Sequence, residues 1–257
     1  MIGDVVGRPG REAINAIVPG LRDELRLDLV IANGENAAGG FGITLDIANE
    51  LFSSGVDVIT SGNHIWDQRE IIEHLDSGIP LLRPLNYPPD TPGKGYFHIK
   101  DVMFINLIGL LFVGTFDCPF RTIDKLLENS IDRPKVIVVD LHAEATSEKE
   151  SMGWYLDGIV SVVAGTHTHV PTADTRILPN GTAYVSDLGM VGSLNSVIGS
   201  EVEDALARFV SQMPQRLRIP SKGPLRFNSV LVEVDKMSGE AIDIVRIDRE
   251  LSNDIRS

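Results

Sequence analysis

Seven short runs rich in Val and Ile set the limits on what this chain can become: LDLVIAN (27–33), VDVIT (56–60), VMFINLIG (102–109), KVIVVDL (135–141), IVSVVAG (159–165), TAYVS (182–186) and SVLVEVD (229–235). Most are continuously apolar rather than alternating. Strands of that kind are buried on both faces, which requires a covered sheet. Helical patterns fill the gaps at 11–25, 45–55, 67–78, 121–130 and 200–213. Pro19 and Gly20 are expected to kink or divide the first of these. Gly55 and Gly78 suit helix C-caps, and Asp67 suits an N-cap. Strand and helix alternate, so the expectation is a layered α/β fold. Residues 80–95 (PLLRPLNYPPDTPGKG) read as a loop over one sheet end, and SGEAIDIVRIDRE as a hairpin partner for 229–235. No repeat or linker interrupts the 257 residues, so one domain over 1–257 is expected. The first strand of such a fold is usually central, yet only MIG precedes Asp4. Either the natural chain begins earlier or this strand is pruned.

Ionisable residues fall just beyond the apolar runs. Asp4 follows MIG, Glu35 and Asn36 follow LVIANG, and Asn63 and His64 follow VITSG. His142 follows IVVDL, and His167 and His169 follow VVAGT. Ligands of open α/β sheets bind outside the carboxyl ends of the strands. If the strands are mainly parallel, all five groups meet at one edge. Carboxylates, amide oxygens and imidazole nitrogens together suit Mn, Fe, Co or Zn better than Ca or a thiolate-bound ion. Six or seven ligands exceed one tetrahedral site and suit two ions sharing a carboxylate, a clamp for phosphoryl displacement. Gly34 and Gly62, next to proposed ligands, allow close approach of backbone. GxGxxG and the phosphate-gripping loop with a terminal lysine are both absent, so a nucleotide cofactor has no support.

Composition narrows the partners. A net charge of -13 lacks the basic footprint of a duplex DNA binder. No apolar run reaches 18 residues and no signal segment is visible, so no membrane partner and a cytoplasmic location are expected. Cys118 is the single cysteine, so no intrachain disulfide is possible. Size and charge are compatible with a homo-oligomer.

The motifs GDVVGRPGR (3–11), NGENAAGGFG (33–42), SGNHIWD (61–67), RPLNYPPDTPGKG (83–95), DLHAEATSEKESMGW (140–154) and GTHTHVPTADTRILPNGTAYVSDLGMVG (165–192) resemble the YmdB-like family, a branch of the calcineurin-like metallophosphoesterases. They span nearly the whole chain in the family's order. The resemblance implies a four-layered αββα sandwich and a bimetallic centre, with Fe or Mn foremost. It also implies phosphodiesterase activity, notably on 2′,3′-cyclic nucleotides, in a cytoplasmic bacterial protein. Carried over by position, Asp4 and His169 would hold the first metal, and Asn36 would stand beside the two metals. Glu35 would bridge, and Asn63, His142 and His167 would surround the second. His64 would stay off the metals and protonate or polarise the phosphate. The wider superfamily has a histidine where this chain has Val6, and an arginine is usual where it has Leu110. In the implied mechanism, a hydroxide between two cations attacks phosphorus while His64 assists the leaving oxygen. The alternatives are a nuclease on single-stranded or structured RNA with the same centre, and a regulatory protein that binds phosphorylated ligands with little turnover.

Other residues keep open readings. Asp140 or Glu144 orients the second nitrogen of His142, or else serves as a cap or surface carboxylate. Asp187 supports a ligand from behind or merely ends a strand, and Asp174 caps or braces the turn after VPTAD. His74 reads as a helix-surface residue, His98 as a strand or edge residue, and Cys118 as packing. Trp66 and Trp154 line the cleft or fill the core. Tyr87 packs, or reaches over the pocket to stack on a base.

Overall fold

The computed structural model describes residues 1–252. In chain order it runs β1 (Ile2–Val5), α1 (Gly7–Leu25), β2 (Ile31–Asn33), α2 (Leu45–Ser53), β3 (Val58–Thr60), a 3-10 helix (Arg69–His74), β4 (Tyr96–Ile99), β5 (Val102–Ile108) and α3 (Pro119–Asn129). It continues with β6 (Val136–His142), α4 (Thr146–Tyr155), β7 (Val162–Thr166), β8 (Arg176–Ile177), β9 (Ala183–Val185) and β10 (Met190–Ser193). The last elements are α5 (Val202–Ser211), β11 (Leu225–Phe227), β12 (Val230–Val234), β13 (Ala241–Arg246) and β14 (Arg249–Leu251).

Two six-stranded sheets carry the architecture, ordered β14-β11-β10-β1-β2-β3 and β4-β5-β6-β7-β9-β8. Strands β10, β1, β2 and β3 are mutually parallel, as are β5, β6, β7 and β9; each flanking strand pairs antiparallel with its inner neighbour. The short first strand is central, between β10 and β2.

Successive side chains of a strand face opposite sides, which explains the continuous apolar runs. In β2 and β3, Ala32 and Ile59 meet α1 and α2 through Ile14, Val18 and Leu51. Their neighbours Ile31 and Val58 turn the other way, onto Phe104, Val138 and Val162 of the second sheet. In β6 and β7, Ile137, Val139 and Val163 meet Ile123 of α3 and Met152 of α4. The result is four layers, helix–sheet–sheet–helix: an αββα sandwich. Each buried Val, Ile or Leu contributes about 1.5–3 kcal/mol to holding the layers together. The predicted hairpin is β12–β13, which lies against β8 and β9 and adds Val230 and Ile244 to the central layer.

Several local expectations change. Pro19 does not divide α1, which stays continuous over Gly7–Leu25. The helix expected over 67–78 is only the 3-10 helix Arg69–His74, and Asp67 does not cap it. The Asp67 carboxylate is taken by His64, and Gln68 is extended because its side chain holds the Phe41 carbonyl. Gly55 adopts positive φ (99°) just past Ser54, the C-cap of α2, as expected; Gly78 also has positive φ (88°) but lies three residues beyond Leu75, the C-cap of the 3-10 helix, and does not stop it. Among the described residues, no helix is long and apolar enough to cross a membrane.

Candidate metal centre

The parallel strands of both sheets point their carboxyl ends at one edge. Asp4 lies in β1, Asn33 ends β2 just before Glu35, and Thr60 ends β3 just before Asn63. From the other sheet, His142 ends β6, and Thr166 ends β7 just before His167. Asp4, Glu35 and His142 are essentially inaccessible to solvent.

At the centre, His142 Nε2 is 3.0 Å from Glu35 Oε1 and 2.9 Å from His167 Nδ1. Glu35, His142 and His167 form a group able to hold a metal ion, with one ligand atom from each within 4.8 Å of the others. The spacing fits a cation: with bonds of about 2.1 Å, ligands at right angles stand roughly 3 Å apart. On the adjoining side, His169 Nε2 is 3.8 Å from Asp4 Oδ1.

Hydrogen bonds from behind fix which atom each residue presents. His142 Nδ1 lies 2.9 Å from Thr166 Oγ1, and Thr166 gives its own proton to Asp140 Oδ1 at 2.7 Å. The threonine can therefore only accept, so His142 keeps its proton on Nδ1 and turns Nε2 inward. Asp140 is anchored further by Asn33 and by the Thr60 hydroxyl. It thus orients His142 through Thr166, whereas Glu144 faces His167 Nε2 at 3.2 Å. His169 donates from Nδ1 to the Ile198 carbonyl at 2.8 Å, which frees Nε2 towards Asp4. Asn36 donates from Nδ2 to the Gly40 carbonyl, leaving its Oδ1 for another partner.

Among the described residues, five buried side-chain oxygens lack a hydrogen-bond partner, and three of them belong to expected ligands: Asp4 Oδ1, Asn36 Oδ1 and Asn63 Oδ1; the others are Ser193 Oγ and Asn228 Oδ1. Buried polar atoms are nearly always satisfied, so these invite an explanation. A cation is the partner that a carboxylate and two amide oxygens share. The residues present fit such a group.

Electrostatics agree. Burial works against a charge on His142, but adjacent Glu35 outweighs it and lifts the imidazole to about 9. Burial alone would raise Glu35; His142 instead pulls it down to about 2. Burial, helped by charged His142, drops His167 to about 3, so its ring stays neutral. Burial raises Asp4 to about 6 against the pull of His169 and His142. A proton on His142 Nε2 holds together a cluster shaped for something more strongly positive.

The backbone is bent to make this cluster. His167 and His169 both have positive φ (103° and 63°), a conformation uncommon for residues with a side chain. The strain is held by two carboxylates. Asp4 Oδ2 accepts from His167 N, and Asp187 Oδ2 accepts from the backbone N and the hydroxyl of Thr168, between the histidines. Asp187 is paired in turn with buried Lys149 at 2.7 Å. Nothing in the sequence pointed to Lys149, Thr166, Asn33 or Thr60. Lys149 stands between Glu148 and Glu150 and so reads as a solvated helix residue. Gly62 was legible: a Cβ there would overlap the His142 ring and the Glu35 carboxylate.

His64 stands at the rim, half-buried. Its Nδ1 is 2.8 Å from Asp67 Oδ2, and its backbone N donates to Glu35 Oε2 at 3.2 Å. Among the described residues, its Nε2 makes no hydrogen bond. Asp174 braces the turn through Ser186, Tyr87 packs between Trp66 and Phe116, and His98 lies on edge strand β4. Trp66 packs against the first core, whereas Trp154 is exposed beneath Arg176 and is not a core residue. Leu110 gives its backbone N to Glu148, and Val6 packs near Gly192 and Gly199, so neither side chain joins the cluster.

A four-layered αββα sandwich with this cluster at its strand ends defines a metallophosphoesterase-type hydrolase, a metal-dependent enzyme. Comparison with known proteins gives the particular branch. The chain belongs to the YmdB-like protein family, whose model matches residues 1–247. It is 44% identical over 250 residues to a 2′,3′-cyclic-nucleotide 2′-phosphodiesterase of Bacillus subtilis (strain 168), covering 96% of this chain and 94% of that one. Among solved structures, a hypothetical protein from Thermus thermophilus superposes with a TM-score of 0.91 at 44% identity, covering 97% of this chain and 98% of that one. A novel phosphatase from Mycoplasma pneumoniae also gives 0.91, at 32% identity over 99% and 93% of the two chains.

Proposed function

We propose that this enzyme opens small phosphodiesters, 2′,3′-cyclic nucleotides foremost, at a centre of two transition-metal ions, Fe or Mn. Asp4, Asn36 and His169 would hold one ion and Asn63, His142 and His167 the other, with Glu35 shared. The observation that carries this reading is the Glu35–His142–His167 triad, together with buried oxygens lacking a hydrogen-bond partner on Asp4, beside His169, and on Asn36 and Asn63, which follow Glu35 and Gly62 in the chain. One triad would serve one ion; the orphaned oxygens call for a second. Bound cations would lower the pKa of a shared water and neutralise charge growing on the phosphoryl oxygens.

The chain's own residues then have separate tasks. His142 and His169 present Nε2, because Thr166 and Ile198 occupy their other nitrogens. His64, turned by Asp67, presents Nε2 towards a phosphate in the cleft. In its protonated form it delivers that proton to the departing ribose oxygen as water adds to phosphorus and the P–O bond breaks. For a 2′,3′-cyclic phosphate the leaving oxygen stays on the ribose, so the product is a nucleoside monophosphate. The name of the Bacillus relative supports this substrate class.

The test is metal analysis together with hydrolysis of 2′,3′-cyclic AMP, bis-p-nitrophenyl phosphate and a short RNA. Two equivalents of metal, loss of turnover on chelation and recovery with Mn are expected, with activity on at least the first two substrates. Metal-loaded protein that hydrolyses no diester would point instead to a phospho-ligand-binding role.

A further inference from the structure

A cavity of about 430 Å³ lies on the Phe41 side of His64. Its walls include Phe41, Arg208, Gln215, Arg216, Arg218 and Ile219. That volume is in the range of small-ligand sites. Two links join it to the metal centre. The Phe41 ring is edge-on to the His64 imidazole, with centroids 5.0 Å apart. The turn from Asn36 to Gly40 forms the second. The Asn36 carbonyl accepts from both Gly7 N and Gly40 N, and Ile219 packs so closely on Gly7 and Gly40 that a Cβ at either would press on it.

The charge of this pocket runs against that of the protein. The chain carries -13, yet three arginines converge here. Arg218 is neutralised by Asp204, with Nη2 2.7 Å and Nε 2.8 Å from the carboxylate oxygens. Arg208 and Arg216 are exposed and, among the described residues, pair with no carboxylate. Two guanidinium groups facing one concavity repel each other until an anion lies between them. Arginine's planar fork suits phosphate oxygens in particular, and an exposed aromatic ring suits a base or ribose.

We infer that this pocket is a subsite for a second phosphate of the substrate, the one on the 5′ side of the nucleoside whose cyclic phosphate is opened. Arg208 and Arg216 bind that phosphate, and Phe41 supports the nucleoside between the two sites. The preferred substrates are therefore nucleotides that carry a 5′-phosphate as well as a 2′,3′-cyclic phosphate. That chemistry has two sources, a mononucleotide and the 3′ end of an oligoribonucleotide. The inference rests on the diester-hydrolase reading above.

The experiment compares kcat/KM of the metal-loaded full chain for adenosine 2′,3′-cyclic phosphate, for its 5′-phosphorylated form, and for a trinucleotide ending in a cyclic phosphate. The 5′-phosphate should raise kcat/KM about tenfold, the effect of one well-placed charged contact. Rising ionic strength should shrink the preference. In Arg208→Gln/Arg216→Gln the ratio of phosphorylated to unphosphorylated substrate should fall to near one. A trinucleotide better than the phosphorylated mononucleotide identifies RNA ends as the source; equality identifies the mononucleotide. A wild-type ratio near one, or an unchanged ratio in the double variant, overturns the subsite. Binding supplies a second readout that needs no turnover. Adenosine 3′,5′-bisphosphate should bind about tenfold more tightly than adenosine 3′-phosphate, and the double variant should lose the difference. That preference without hydrolysis of any diester removes the hydrolase reading and keeps the pocket. Hydrolysis with equal affinities removes the pocket and keeps the hydrolase.

Discussion

Lys149→Met should be among the more damaging substitutions outside the metal centre. The lysine and Asp187 expose only 2% and 1% of their side chains, and their charged atoms are 2.7 Å apart. Methionine keeps the apolar stem, which runs past Gly165, and deletes the ammonium. Asp187 is then a buried carboxylate without its cation. Removing one partner of a buried pair costs about 3–5 kcal/mol. Asp187 keeps three donors, Thr168 N, Thr168 Oγ1 and Gly189 N, which places the expected loss at the low end, about 3 kcal/mol. The loss should be partly recovered in Lys149→Met/Asp187→Asn, because no unpaired charge remains; a coupling of about 1–2 kcal/mol is expected. Urea denaturation of the metal-free proteins measures both. The same variant should bind metal more weakly, since Asp187 holds Thr168 between His167 and His169. A loss under about 1 kcal/mol with full metal retention would refute the reasoning.

Three further outcomes follow from the same geometry. His64→Ala should keep its metal and lose about 10²-fold or more in kcat on 2′,3′-cyclic AMP, whose ribose leaving oxygen needs the proton; undiminished turnover would remove its catalytic role. Gly62→Ala should lose metal by elemental analysis while remaining folded by circular dichroism, because the added methyl occupies the space of the His142 ring and Glu35 carboxylate. In the metal-free protein, His142 titrates near 9, above its unfolded value of 6.5. Its proton therefore stabilises the fold fully below about 6.5, and that contribution is lost as pH rises through 9. Metal displaces this proton, so calorimetry at pH 7–8 in buffers of different ionisation enthalpy should show proton release, with affinity rising towards pH 9; no release would contradict a ligating His142.

The sequence was most legible where burial forces a pattern. Ile31, Ala32, Val58 and Ile59 must all be apolar because neighbours along each strand face two different cores, and that leaves a continuous run. Helix α4 was hidden for the opposite reason. Glu148 and Lys149 are among its buried positions, and their partners, the Leu110 and Leu111 amides and Asp187, are remote in sequence. Its residues therefore carry no apolar period. Strands β10, β11 and β14 are three or four residues long and have few large apolar side chains, too short for periodicity to register.

The candidate site divides along the same line. Residues that offer a ligand atom stand out because Asp, Glu, Asn and His are unusual just past an apolar strand. Residues that decide which atom is offered do not stand out. Thr166, Thr60 and Asn33 are small and uncharged, and nothing in their spelling separates them from strand fillers. Only the register of β6 against β7, with His142 opposite Thr166 and Asp140 opposite Ala164, brings the hydroxyl to Nδ1. The same holds for the histidine pair. Two residues apart in a regular strand, His167 and His169 would face one side together. Positive φ at both, held by Asp4 on one side and Asp187 on the other, instead brings His167 to Glu35 and His142 and His169 to Asp4. Asp4 acts here twice, with Oδ2 bracing the strained turn and Oδ1 left bare beside His169. Loss of that carboxylate would therefore release the backbone that aims a histidine as well as remove a candidate ligand.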